Sequence, residues 1–277
     1  MLVLPRVDLS GALLEQVVGR VSPPLRARLA WRTSSRRGDP AVRLLEELVA
    51  PGSVAVDCGA SWGLFAHSLA GRVGASGRVH AFEPNSVNAH SLQRIASATG
   101  VVRVHRLALS DRPGRAELHM PRRRGRAVDA MGSMEVSSPR EDLFTDTISV
   151  EVTTLDEALD DDVGKVGFVK CDVEGHELAV LRGGERTLGE SRPALLVEIE
   201  QRHQNTDISV TFDHLLGLGY DGYMVRPGGL RPLAEFDVQA DQLSLLDLTQ
   251  LEPVVPREYV HDFVFVPPGA DVARLLA

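Results

Sequence analysis

Acidic residues at the ends of apolar runs are the features of this sequence best suited to chemistry. Ser53-Val54-Ala55-Val56-Asp57-Cys58-Gly59-Ala60-Ser61-Trp62-Gly63 is a short apolar run that ends in a carboxylate and a glycine-spaced turn. Its valines, bounded by Pro51-Gly52 and Gly59, predict a strand buried on both faces that feeds a helix. Gly59 and Gly63 lack side chains, so the backbone can turn sharply there and a ligand can come close. Glu83 lies 26 residues past Asp57 and ends a second such run, Val79-His80-Ala81-Phe82. From there its carboxylate can accept hydrogen bonds from both hydroxyls of a ribose.

Two nucleotide ligands compete for this arrangement. A dinucleotide site uses three glycines as G-x-G-x-x-G and lays the pyrophosphate on a helix N-terminus. Here there are two glycines with Ala60 between them, and the Asp57 carboxylate would repel a pyrophosphate but attract the ammonium group of an amino-acid moiety. That favours S-adenosylmethionine. The alternatives are a nicotinamide-dependent oxidoreductase, which would need the third glycine, and a non-catalytic nucleotide-binding or scaffold protein, which would normally lose the acidic strand tips. The bland reading is that a glycine turn follows the first strand of many α/β proteins.

The surrounding elements must position these groups. Residues 51–110 alternate strand and helix, ending in a strand over Val101–Leu107, and alternation of this kind predicts a parallel sheet. Ala108 and Ser110 follow that third strand, where a purine would lie: the small residue leaves room and the hydroxyl meets the polar edge. From Gly114 to Thr154 the alternation lapses into a long polar insertion, expected to be a lid or disordered. It carries Pro121-Arg122-Arg123-Arg124-Gly125-Arg126, a solvated loop or a recognition site for a phosphate or carboxylate, and Gly132-Ser133-Met134. The pattern resumes with Leu155–Leu159 as a short helix and a fourth strand, Val166–Asp172, whose carboxyl tip is Asp172, beside Asp57 if the strands are neighbours. Glu174 opens a helix; Pro193–Glu200 is a fifth strand leading to His203. Tyr220–Val225 and Asp262–Val266 are expected to close the sheet as an antiparallel edge hairpin.

Residues 1–50 read as a helical extension to a domain over 51–277, with Leu13, Leu14, Val17 and Val18 forming a stripe and Asp39-Pro40 opening a clearer helix. The extension is expected to cover the site, to mediate homodimerisation, or only to pack on the sheet. The chain has 277 residues, 43% of them hydrophobic and 25% charged, as in an ordinary globular protein. No apolar stretch approaches the ~20 residues of a membrane span, and the first residues lack the basic start and long apolar region of a signal peptide. A cytoplasmic enzyme without membrane partners is the simple expectation. The net charge of −8 argues against a nucleic-acid partner. Cys58 and Cys171, the two cysteines, have no metal-ligand spacing and read as reduced core thiols.

In order along the chain, VDCGASWG, HAFEPN, LALSD, TTLDEAL, VKCDVEGHE and LLVEIE resemble the FkbM-type family of S-adenosylmethionine-dependent methyltransferases. The likeness covers roughly residues 51–204. It implies the class I methyltransferase fold, a Rossmann-like, mostly parallel seven-stranded sheet with one antiparallel strand. It also implies O-methylation of a hydroxyl on a sugar or natural-product acceptor, as in secondary-metabolite biosynthesis. By the same resemblance Asp57, Gly59, Ala60, Gly63, Glu83, Pro84, Asn85, Ala108 and Ser110 are cofactor contacts, with Asp172 at the switch point beside them. Trp62 departs from the pattern, which usually has a small polar residue or Asn there.

Methyl transfer from a sulfonium needs the hydroxyl held in line and its proton removed. Asp172, Glu198 and His203 are the catalytic candidates, with Glu174 and Glu200 behind them. Two carboxylates at one sheet end, Asp172 and Glu198, would repel each other unless a proton or cation lay between them. They are therefore candidate Mg²⁺ ligands. The metal-free version, with His203 as the base, is preferred because no third carboxylate is an obvious ligand.

Overall fold

A computed structural model describes residues 22–37, 39–123, 126–127, 134, 144–247, 253–256, 258–273 and 275. The stripe at residues 13–18, most of the arginine run's centre, and Gly132-Ser133 lie outside these residues. Eight strands form one sheet in the order β3 (Val102–His105), β2 (Arg78–Phe82), β1 (Val54–Cys58), β8 (Val166–Cys171), β9 (Ala194–Glu198), β12 (Asp262–Val266), β10 (Asp221–Arg226) and β11 (Gly229–Pro232). The pairs from β3 to β9 are parallel, and β12 runs antiparallel to both of its neighbours. This is the class I methyltransferase sheet expected from the resemblance, extended by one short strand.

Alternation along the strands sorts the core into two layers. Val54, Val56, Cys58, Val169, Cys171 and Val197 face one side, where Leu155 of α5 (Leu155–Leu159), Leu181 of α6 (Glu177–Arg182), Leu188 of α7 (Glu185–Ser191) and Leu215 of α8 (Ser209–Gly217) cover them. Ala55, Phe168, Leu196 and Val264 face the other, under Leu69 of α3 (Leu64–Val73) and Leu92 and Ile95 of α4 (Ser86–Thr99). The two described helices of the extension, α1 (Pro23–Arg37) and α2 (Pro40–Leu48), join this second layer through Ala27, Leu44 and Leu45. Asp39 caps α2 by accepting from Ala41 N at 3.0 Å, with proline at the first helical position as expected.

Two expectations change. Asp262–Val266 does not lie at the edge; it is inserted between β9 and β10, and the edge hairpin is β10 with β11. Four of its five residues, Phe263, Val264, Phe265 and Val266, are apolar and buried on both faces, which fits an interior strand better than an edge. The segment read as a polar insertion holds two ten-residue strands, β5 (Gly114–Arg123) and β7 (Phe144–Thr153), paired antiparallel and joined to β4 (Ala108–Leu109). Leu118, Met120, Val150 and Val152 form a small core of their own with Ala108. Polar residues alternating with these apolar ones masked a half-buried hairpin.

His80 Nε2 meets Asp162 Oδ2 at 3.0 Å and His80 Nδ1 meets His105 Nε2 at 2.9 Å. The histidines of β2 and β3 thus tie down the turn after α5, a structural role consistent with their burial.

Candidate active site at the strand tips

The turn after β1 is held by a glutamate from the neighbouring strand. Glu83 Oε2 accepts from Ser61 N at 2.9 Å and Oε1 from Asn85 N at 2.8 Å. Ser61 itself adopts φ 48°, rare for a residue with a side chain. Gly59, at φ 77°, is required by its own fold: a Cβ there would lie 1.8 Å from the Asp172 carbonyl oxygen. The close approach expected of a ligand is thus made by the chain's own backbone. At Gly63 the crowding comes from Leu92 and Ile95 of α4, whose methyls would meet a Cβ at 2.9 and 2.5 Å.

These residues border a cleft lined by Gly59, Ser61, Glu83, Pro84, Asn85 and Asp172 on its polar side and by Phe82, Leu107, Ala108, Leu118, Met120 and Met134 on its apolar side. The new hairpin supplies Leu118 and Met120. Ser61 Oγ is buried without a hydrogen-bond partner among the described residues. Burial pushes the Glu83 carboxyl up to about 7 against the pull of the two backbone N–H donors.

Of the expected contacts, Asp57, Ala60, Gly63 and Ser110 lie outside this lining. Asp57 is fully buried below the turn, and neither of its oxygens has a hydrogen-bond partner among the described residues. Burial raises its pKa to about 6, opposed by Lys170, the residue beside it in the β1–β8 register. Ser110 Oγ is 2.9 Å from His176 Nε2.

The turn after β8 has its own brace. Glu177 Oε1 accepts from Gly175 N at 2.9 Å and Val173 N at 3.2 Å, and Oε2 accepts from the Gln204 amide. Glu174 takes φ 54°, and a Cβ on Gly175 would lie 2.3 Å from the His203 carbonyl oxygen. The 172–176 turn therefore packs directly on the 200–203 turn.

Asp172 lines three cavities: the cleft above, a small one with Glu174, Glu198, Glu200 and His203, and a cavity of about 840 Å³ lined also by Lys170, Glu198, Tyr259, His261 and Asp262. The cation expected near Asp172 is Lys170, whose Nζ donates to Asp172 Oδ2 at 2.8 Å from a 5% exposed position. Glu200 is held by Arg202, at 2.7 and 2.9 Å, which with His203 outweighs burial and lowers its pKa to about 2. His203 stands between Glu174 (Nδ1–Oε2 2.9 Å) and Glu200 (Nε2–Oε1 3.7 Å) and does not line the large cavity. Burial would lower its pKa, but these two carboxylates raise it, which favours the imidazolium. Its geometry is that of an ionic bridge between the two turns, and Glu174 and Glu200 are the neighbouring carboxylates that would steer it in the role of base expected from sequence.

Sequence reading missed Lys170, Tyr259, His261 and Asp262. A lysine inside the apolar run Val166–Cys171 was the available signal for the first. The others lie just before or at the start of β12, the strand that runs antiparallel in the sheet's interior. Its start therefore lies at the same edge as the parallel strands' ends, which is knowable only once its place in the sheet is known.

Residues 57–222 match the family model described as the methyltransferase FkbM domain. No curated protein sequence matches this chain. Among solved structures, methyltransferase FkbM from Methylobacillus flagellatus KT aligns at 18% identity and a TM-score of 0.49, over 91% of this chain and 57% of its own. This chain thus spans little more than half of that protein's length. A SAM-dependent methyltransferase from Aquifex aeolicus aligns at 13% identity and a TM-score of 0.41, over 88% of this chain and 97% of its own. Fibrillarin from Aeropyrum pernix, crystallised with S-adenosyl-L-methionine, aligns at 13% and 0.44, over 82% and 73%.

Proposed function

Since the chain belongs to the FkbM methyltransferase family, we propose that it transfers a methyl group from S-adenosylmethionine to a hydroxyl of a sugar-bearing or natural-product acceptor. The observation that carries this reading is the position of Asp172 in the wall of both the cleft and the large cavity, so that a donor in one meets an acceptor in the other.

The cleft suits the cofactor on its own terms. Glu83 is a buried carboxylate in the cleft wall that already accepts from Ser61 N, Asn85 N and the Asn88 side chain, and a ribose hydroxyl there can add a further donor. Ser61 Oγ is a buried polar atom awaiting a partner. Phe82, Ala108, Leu118 and Met120 offer an apolar slot for a purine. S-adenosylmethionine supplies a methyl group already activated by its positive sulfur.

The chain's own residues then have a simple task. Lys170 occupies Asp172 Oδ2 and holds that carboxylate in place, leaving Oδ1 to accept the hydroxyl proton of an acceptor in the large cavity. The carboxylates of Asp39, Glu198 and Asp262 in the same wall suit an acceptor with several hydroxyls to donate. Pro40, Phe65 and Tyr259 give its apolar parts a surface.

The test is incubation with S-adenosylmethionine labelled in the methyl group and a panel of sugar-bearing and natural-product alcohols, followed by mass spectrometry. An O-methyl ether is expected, and Asp172→Asn should lower turnover by about 10²-fold with S-adenosylhomocysteine affinity within a few-fold of the parent. Label found on nitrogen or carbon would reject the O-methyl reading.

A further inference from the structure

Most acids at the strand tips have a cation of their own. Asp172 has Lys170 at 2.8 Å, Glu200 has Arg202 at 2.7 Å, and Glu174 has His203 at 2.9 Å. Glu198 and Asp262 have only one to share, and at longer range. They face each other directly across β9 and β12, because the antiparallel register pairs these two residues. Between them stands His261, with Nδ1 3.7 Å from Glu198 Oε2 and 3.9 Å from Asp262 Oδ1. Both distances are too long for a hydrogen bond. Nδ1 is buried and has no hydrogen-bond partner among the described residues.

We propose that Glu198, His261 and Asp262 bind one divalent first-row metal ion in the wall of the large cavity. One ligand atom from each residue lies within 4.8 Å of the other two. Ligand atoms at about 2.0–2.2 Å from a metal are about 4.4 Å apart at most, so small side-chain rotations complete the site. One imidazole nitrogen with two carboxylate oxygens is a borderline set: imidazole suits zinc and iron, carboxylate suits manganese. A compact dication also resolves the electrostatics, since a charge of two meets both carboxylates at once while the imidazole stays neutral as a ligand. Tyr259, only 5% exposed, lies against the His261 ring at 6.1 Å and 27° and so limits its rotation.

Three protein ligands leave coordination positions open, and the three residues all line the large cavity. An acceptor hydroxyl there would be oriented by the ion and made more acidic. That use of the ion rests on the methyl-transfer reading; the binding site itself does not. It also replaces the Asp172–Glu198 pair suggested by sequence, because Lys170 already satisfies Asp172.

The experiment uses the full chain stripped with a chelator and titrated with Mn²⁺ alone, by calorimetry and by the loss of the free-ion electron paramagnetic resonance signal. One ion per chain is expected, with affinity reduced at least tenfold in His261→Ala and in Glu198→Gln but unchanged in His203→Ala. Circular dichroism establishes that each variant is folded, and Asp262→Asn stands in for any that is not. No saturable binding to the stripped, folded protein overturns the proposal, as does wild-type affinity in His261→Ala or an equal loss in His203→Ala. A parallel titration of the stripped protein with S-adenosylhomocysteine separates the two ideas. Cofactor binding without Mn²⁺ binding removes only the metal site, and the reverse removes only the methyl-transfer reading.

Discussion

Two turns face each other at the carboxyl ends of β1 and β8, and each is tied down by a buried glutamate. In the first, Glu83 arrives from β2 and accepts from Ser61 N and Asn85 N. In the second, Glu177 comes from the start of α6 and accepts from Val173 N and Gly175 N. Burial pushes both carboxyls up to about 7. They differ in what their remaining lone pairs meet. Glu83 forms part of the cleft wall, whereas Glu177 is 2% exposed and its second oxygen is taken by Gln204. A raised pKa thus marks burial in both, whereas only Glu83 lines the cleft. The two turns also share a charge, since Lys170 lies beside Asp57 in the strand register and donates to Asp172.

The largest effect is expected where that shared charge is removed. Lys170→Met leaves buried Asp57 and half-buried Asp172 without their cation and should cost about 3–5 kcal/mol of stability, read by urea unfolding. A loss below about 1 kcal/mol would mean that the turns are held by their glutamates alone. Next comes Glu177→Ala, which strands two buried N–H groups and should cost about 2–4 kcal/mol in the same assay. Affinity of the folded variant for S-adenosylhomocysteine should stay within a few-fold. A large loss there would erase the distinction between bracing and binding.

Glu83→Ala should show the complementary pattern, weakening S-adenosylhomocysteine binding by about 1–3 kcal/mol in calorimetry. Its pH dependence sharpens the point. Glu83 titrates near 7 in the folded protein against 4.5 ordinarily. A raised carboxyl contributes stability that is fully present below 4.5 and lost as pH rises through 7. Hydrogen bonds from ribose hydroxyls favour the ionised form, so affinity should run the opposite way and rise about tenfold from pH 6 to 8. Glu83→Gln should flatten that rise; an unchanged slope would move the effect to another group. The smallest effect belongs to Arg26, whose guanidinium lies 3.9 Å over the Trp62 ring and ties α1 to the first turn. Arg26→Ala should cost about 0.5–1 kcal/mol of stability. A change in cofactor affinity larger than that would show that the N-terminal helix controls the cleft.

No helix among the described residues is long and apolar enough to cross a membrane.

Local signals decided much of this protein. The valine-rich runs before Asp57 and Asp172, the Asp39-Pro40 cap and the motif order were enough for a parallel α/β sheet with acidic tips, because burial on both faces and capping leave short-range marks. The hairpin of β5 and β7 was not legible, since its apolar face needs Ala108 as a partner before it reads as a core. The same holds at the site. That Asp172, Glu198 and His203 converge could be read from strand ends, but which acid meets which base depends on register between strands far apart in the chain. Lys170 reaches Asp172 within one strand, His203 is drawn away by Glu174, and His261 and Asp262 come to Glu198 only because β12 is inserted antiparallel beside β9. Charge pairing is a property of a few ångströms in space, and only the tertiary structure assigns those distances.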